Sequence, residues 1–168
     1  MSEVAGGGER SKRRRLTRAR RARPVRRHGP GRIEVDLAPW VLDFLESSAQ
    51  RIRDAPDDPG SVAFSRLFAR VEESGGLDEP LVMLFRQEML EEIASTVTRS
   101  CRKRLISDDE AEAWLKLLGM ALSVRCAELG VRTEEDRSAI DAEDDQLIAA
   151  VHVLQMLLIE ALESDGAS

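Results

Sequence analysis

The sequence predicts an all-α protein: a helical bundle of about five helices, with a short N-terminal β-strand and a disordered basic arm. Three observations carry that prediction. The composition is rich in Ala, Leu, Glu and Arg, with 4% aromatic residues and no Tyr, which favours helix. The Pro residues and most Gly fall between long segments whose apolar residues recur every three to four positions. Those segments carry start and stop signals of the kind that helices need. The 168 residues suit a single domain over residues 32–168, since the 42% apolar content is enough to bury one core.

Residues 1–31 come first, with Gly6 to Gly8, the run Lys12 to Arg15, further Arg to Arg27, and Pro24 and Pro30. Almost nothing there is apolar, so burial cannot offset the entropy of ordering, and the segment reads as disordered. From Arg32 the pattern alternates, with Ile33, Val35 and Leu37 on one side and Glu34 and Asp36 on the other. This predicts a half-buried strand whose partner the sequence does not identify.

Asp36 is the expected cap of a first helix opening near Pro39, with Trp40, Val41, Phe44, Leu45 and Ile52 on its stripe. The Pro56 to Gly60 segment stops it. A shorter second helix carries Val62, Phe64, Leu67, Phe68 and Val71, and Ser74-Gly75-Gly76 ends it. Asp78 and Pro80 then open a third helix running to about Arg102, with Val82, Phe85, Met89, Ile93, Val97 and Cys101 as its stripe.

Ser107-Asp108-Asp109-Glu110 is a capping-box pattern, and Gly130 supplies the stop, so a fourth helix is expected over residues 108–129. Its apolar residues form two faces, Trp114, Leu115, Leu118, Leu122 and Leu129 on one and Ala113, Leu117, Met120 and Val124 on the other. That pattern makes it the expected centre of the core. After a polar connection, Asp141 is the expected cap of a last helix with Leu147, Ile148, Val151, Leu154, Leu158 and Leu162 at helical spacing. Trp114, Leu118, Leu122, Phe85, Met89, Leu154 and Leu158 are expected to share one core.

Charge divides the chain in two. Residues 1–32 carry a net +10 and the remainder −16, an anion-seeking arm on an acidic body. Arg13, Arg14, Arg15, Arg20, Arg21, Arg26 and Arg27 are the candidate nucleic-acid contacts, because guanidinium groups on a flexible chain neutralise phosphates and release counterions. No aromatic residue interleaves them, so base stacking is not indicated. The Arg, Ala and Gly bias of residues 5–32 also resembles translated GC-rich DNA, with Val25 a candidate alternative start.

Catalysis has no foothold. None of the familiar nucleophile, phosphate-loop, zinc or calcium motifs is present, and two His and two Cys without a CxxC pair offer no metal centre and no cofactor site. Acidic runs at Asp108 to Glu112 and Asp141 to Asp145 open helices, where carboxylates answer the macrodipole. His152 follows no Glu at the bundle-type spacing, since the residue three before it is Ala149. Neither a membrane span nor a secretory signal is expected, which places the protein in a reducing cytoplasm.

Cys101 and Cys126 carry the redox question. An antiparallel third and fourth helix puts Cys126 about 27 Å along from the start of the fourth, too far for an intrachain bridge to Cys101. Arg102 and Lys103 beside Cys101 make it the better candidate for chemistry if it is exposed.

The run Asp109-Glu110-Ala111-Glu112-Ala113-Trp114-Leu115, with Leu118, Val124 and Leu129-Gly130-Val131, resembles an actinobacterial family of oxidative-stress transcriptional regulators, the AosR family. Arg26-Arg27-His28-Gly29-Pro30-Gly31-Arg32-Ile33, the Asp57-Asp58-Pro59 turn and the Leu-rich last helix extend the likeness over roughly residues 25–162. Gly119, Met120 and Leu122 stand where that family tends to carry an Asn-Asp pair and a downstream Arg. The resemblance implies a redox-responsive transcription regulator that binds DNA and a protein partner such as a sigma factor. Because such genes commonly neighbour the Clp adaptor, a helical adaptor in Clp-linked proteolysis is the alternative, and a homodimer is left open.

Overall fold

A computed structural model describes residues 23–73 and 79–164. The chain is mostly helical, with a small three-stranded sheet. Strands β1 (Val25–Gly29), β2 (Arg32–Val35) and β3 (Leu105–Ser107) form an antiparallel sheet in the order β1-β2-β3. Six α-helices are found among the described residues: α1 (Pro39–Asp54), α2 (Val62–Glu73), α3 (Glu79–Ser100), α4 (Asp108–Glu128), α5 (Glu134–Ser138) and α6 (Ala142–Glu163).

The sheet supplies the partner that the alternating segment needs. Val25 pairs with Val35, Arg27 with Ile33, and Ile33 in turn with Ile106. These apolar side chains face the core, and Ile33 and Ile106 are fully buried. The hairpin turns at Pro30-Gly31, where Gly31 adopts a φ of 65°, a left-handed conformation that glycine reaches without steric cost. Residues 25–29 are therefore ordered strand, and the expected disordered arm of 1–31 is corrected at that end. Residues 1–22 lie outside the described residues.

Helix α4 sits at the centre, in contact with α1, α2, α3, α6 and the sheet, as its two apolar faces predict. Its capping box is complete: Ser107 Oγ accepts from the Glu110 N–H at 3.1 Å, and Glu110 Oε2 accepts from the Ser107 N–H at 2.9 Å. Gly130, at a φ of 71°, follows its end. Trp114, Leu117 and Leu118 are fully buried, whereas Leu122 is half-buried. The Trp114 indole N–H donates to Ser100 Oγ at 2.7 Å and ties the second turn of α4 to the end of α3.

Helix α3 presents a different stripe from the expected one. Leu90, Ile93, Ala94, Val97 and Cys101 are buried, while Phe85 is 61% exposed and Met89 39%. A stripe stepped by four residues rotates by about 40° per step around a helix of 3.6 residues per turn. Anchored at Val97 and Cys101, it has turned by about 120° on reaching Phe85. Leu90, two full turns before Val97, stays in line.

Two further starts differ. Helix α1 has Ala38 at its N-cap and no side-chain cap, while the Asp36 N–H donates to the Pro24 carbonyl at 2.7 Å, so Asp36 closes the sheet edge and does not cap. The polar connection after α4 contains a helix of its own, α5, with Thr133 and Asp136 as a second capping box. Asp141 caps α6 as expected, accepting from the Asp144 N–H at 2.9 Å. The cap expected at Asp78 lies outside the described residues.

Helix α6 buries Ile148, Val151, Leu154, Leu158 and Ala161 on one face. Its best 18-residue window has a mean hydropathy of 1.5, enough by length and composition for a membrane span. The expectation of no such segment is corrected to that extent. The buried face packs on α4, as the core helix of a folded domain does.

Candidate functional site

The apolar residues left over from the core gather between α1 and α6. Trp40, Val41 and Phe44 project from α1, Val153 and Leu157 from α6, and Leu118 of α4 forms the floor of a groove of about 240 Å³. Pro24 closes one end, beside an ion pair of 2.9 Å between Arg23 and Glu160. Trp40 stands 52% exposed on the rim and Val153 55%. Beyond Trp40 the groove opens into a second hollow of about 560 Å³ lined by Asp141, Glu143 and Asp144 at the start of α6. There Asp144 accepts from Arg125 Nε at 3.1 Å. The surface thus runs from apolar to acidic along one helix.

The candidate nucleic-acid residues fall into two groups. Arg13, Arg14, Arg15, Arg20 and Arg21 lie outside the described residues. Arg26 and Arg27 lie in β1 and each meets a carboxylate of the same chain. Arg26 Nε donates to Glu34 at 2.7 Å, directly across the hairpin. Arg26, and then Arg104 at 3.4 Å, hold the Glu34 carboxyl below its usual range. Arg27 is deeper, 13% exposed, and its Nη2 donates to Asp108 at 3.0 Å, joining the sheet to the start of α4. Both arginines are engaged within the fold.

The cysteines are free thiols in unlike surroundings. Cys126, in the last turn of α4, is half-exposed, and Cys101, just after α3, is fully buried. Arg102 does not activate Cys101. Its Nε and Nη2 instead grip the Glu46 carboxylate at 2.8 and 2.7 Å, and Nη2 also reaches Asp43 at 3.0 Å. The Cys101 thiol donates to the same Glu46 oxygen at 3.4 Å. Glu46 is held down to about 2, first by Arg102 and then by the thiol. Burial, aided by Glu46, pushes Cys101 up to about 11. The better candidate for oxidation is therefore Cys126, because a buried protonated thiol is a poor nucleophile.

Two measurements check this. Cys126 is expected to alkylate in the native protein and Cys101 only on unfolding; equal rates would contradict the placement. Titration supplies the second. An unfolded thiol ionises near its ordinary 9 and the folded Cys101 only near 11. The stabilisation from keeping Cys101 neutral is complete below about 8.5 and is lost as pH rises through 9 to 11. Replacing Cys101 by Ala is expected to flatten that part of the urea-midpoint profile.

Among the described residues no group of three or more His, Cys, Asp and Glu could hold a metal ion. His152 lies exposed on α6. Sequence reasoning missed the groove, since it placed Trp40 and Phe44 on a buried stripe, and missed the Glu46–Arg102–Cys101 cluster, in which Glu46 stands more than fifty residues from the other two. The hairpin did have a signal: Gly29-Pro30-Gly31 between Val25-Arg26-Arg27 and Ile33 is a turn flanked by strand-like runs. No protein family, no curated protein and no solved structure matches the chain.

Proposed function

We propose that this chain is a non-enzymatic transcription regulator acting in the oxidative-stress response. Its helical body docks a protein partner, and the Arg-rich residues before Arg23 add phosphate contacts on DNA. The observation that carries the reading is the α1–α6 groove. An apolar trough with an aromatic residue on its rim and carboxylates at one end suits an amphipathic helix whose apolar residues lead into basic ones. A sigma factor is the class of partner that the family resemblance implies. Oxidant sensing then falls to Cys126 or to the partner, since Cys101 is buried and protonated.

A second reading, a Clp-linked adaptor that never touches DNA, draws support from the pairing of Arg23, Arg26 and Arg27 with the chain's own carboxylates. Trp40→Ala tests the first. Trp40 is half exposed, so stability should change by no more than about 0.5 kcal/mol. Affinity for a purified sigma factor should fall by roughly thirtyfold, as for an interface hot spot of about 2 kcal/mol. Binding to a Clp adaptor with none to any sigma factor would replace the first reading by the second.

A further inference from the structure

The α1–α6 groove ends where the chain's own basic segment begins. Pro24 closes one end of the groove, and Arg23 beside it donates to Glu160 of α6 at 2.9 Å. At the other end lies the hollow whose lining sets Asp141, Glu143 and Asp144 against a single basic residue, Arg125. Glu143 makes no hydrogen bond or ion pair among the described residues. Residues 10–22, which lead into Arg23, hold eight Arg and Lys and no Asp or Glu. Backward from Arg23, the apolar Ala22, Ala19 and Leu16 come before the run Arg15-Arg14-Arg13-Lys12.

We propose that residues 10–22 dock in this groove of their own chain, running along α6 from Glu160 towards its start, with Arg13 to Arg15 in the acidic hollow. Attachment, reach and charge select this occupant. The segment joins the fold at the mouth of the groove, which gives it an effective concentration there on the order of millimolar. From Glu160 back to Asp144 is sixteen residues of helix, about 24 Å. The eight residues from Arg23 back to Arg15 span up to about 26 Å. By the same measure Arg18 comes level with Ala150, which lines both hollows together with Trp40. Trp40 there offers its ring face to a guanidinium. The order of apolar then basic residues matches a groove that runs from apolar to acidic. Docking also continues what Arg23, Arg26 and Arg27 already do, since each pairs with a carboxylate of the fold.

The docking stands whatever other occupant the groove takes, but its consequence rests on the proposed function. One groove cannot hold this segment and a partner helix together, and the same arginines cannot serve Glu143 and a DNA phosphate at once. A partner entering the groove therefore releases the segment to DNA. DNA in turn clears the groove for the partner, by the same factor in both directions.

Alkylation of a cysteine placed at Val153, in a Cys126→Ala background, reads the docking in the full-length chain. At low salt Val153→Cys is expected to react with iodoacetamide about fivefold more slowly than the same chain with Arg13, Arg14 and Arg15 replaced by Glu, the protection given by a contact populated about four-fifths of the time. Met156→Cys, at a 70% exposed position outside the groove, should react at one rate with either segment. The protection should not depend on protein concentration, as a contact within one chain requires. Equal rates for Val153→Cys with and without the three arginines, equal protection of Met156→Cys, or protection that grows with protein concentration would each overturn the proposal. Protection that duplex DNA leaves in place would keep the docking and remove the DNA reading of the segment.

Discussion

Replacing Trp114 by Ala is expected to destabilise the protein by about 3–5 kcal/mol, the range for emptying a packed aromatic site. The indole is fully buried in the helix that touches most of the fold. Its N–H donates to Ser100 Oγ, whose own hydroxyl donates to the Thr96 carbonyl at 2.7 Å. Truncation removes both the ring contacts and the link that anchors α4 to the last turn of α3. Trp114→Phe keeps most of the apolar volume and loses the donor, so it should cost less than Trp114→Ala by 1 kcal/mol or more, on the order of a large buried cavity. Urea unfolding with an unchanged m-value reads both differences. A loss of under about 0.5 kcal/mol for Trp114→Ala, typical of surface positions, would remove α4 from the centre of the core.

That centre was legible in the sequence because its signals are local. A capping box needs four consecutive residues, and a helix covered on several sides shows apolar residues on more than one face. Helix α3 was less legible, since Val82, Phe85, Met83 and Leu90 are all apolar and a stripe drawn in steps of four drifts off the buried face. The strand β1 was hidden by composition: Arg26, Arg27 and His28 read as part of a charged arm, although Arg26 lies across from Glu34 and Arg27 from Ile33. The groove was illegible for a deeper reason. Amphipathic spacing tells which residues avoid water but not which of them are left over after packing, and Trp40 and Val153 come to line one groove only through the placement of α1 and α6.

Removing residues 1–22 is expected to abolish salt-sensitive binding to DNA. That segment holds Arg10, Lys12, Arg13, Arg14, Arg15, Arg18, Arg20 and Arg21, whereas residues 33–168 carry a net −16. A protein that neutralises six to ten phosphates loses about 10³–10⁵ in affinity between 50 and 200 mM salt. The intact chain should approach that dependence, and the shortened one should bind DNA too weakly to show it. Arg26 and Arg27 remain in the shortened chain but are held by Glu34 and Asp108. Arg27→Ala is accordingly a test of folding, with an expected loss of stability as Asp108 loses its partner, and little change in DNA affinity. Retention of DNA by residues 23–168 would move the contact onto the body.

The proposed function is a division of labour, in which the arm meets nucleic acid and the helical body meets protein. Crosslinking in resting and oxidant-treated cells, followed by sequencing of bound DNA and identification of bound proteins, tests it most directly. The full-length chain is expected to capture DNA together with a component of the transcription machinery, and Trp40→Ala to lose the protein and keep the DNA. Capture of protease components alone, with no DNA in either condition, would contradict it.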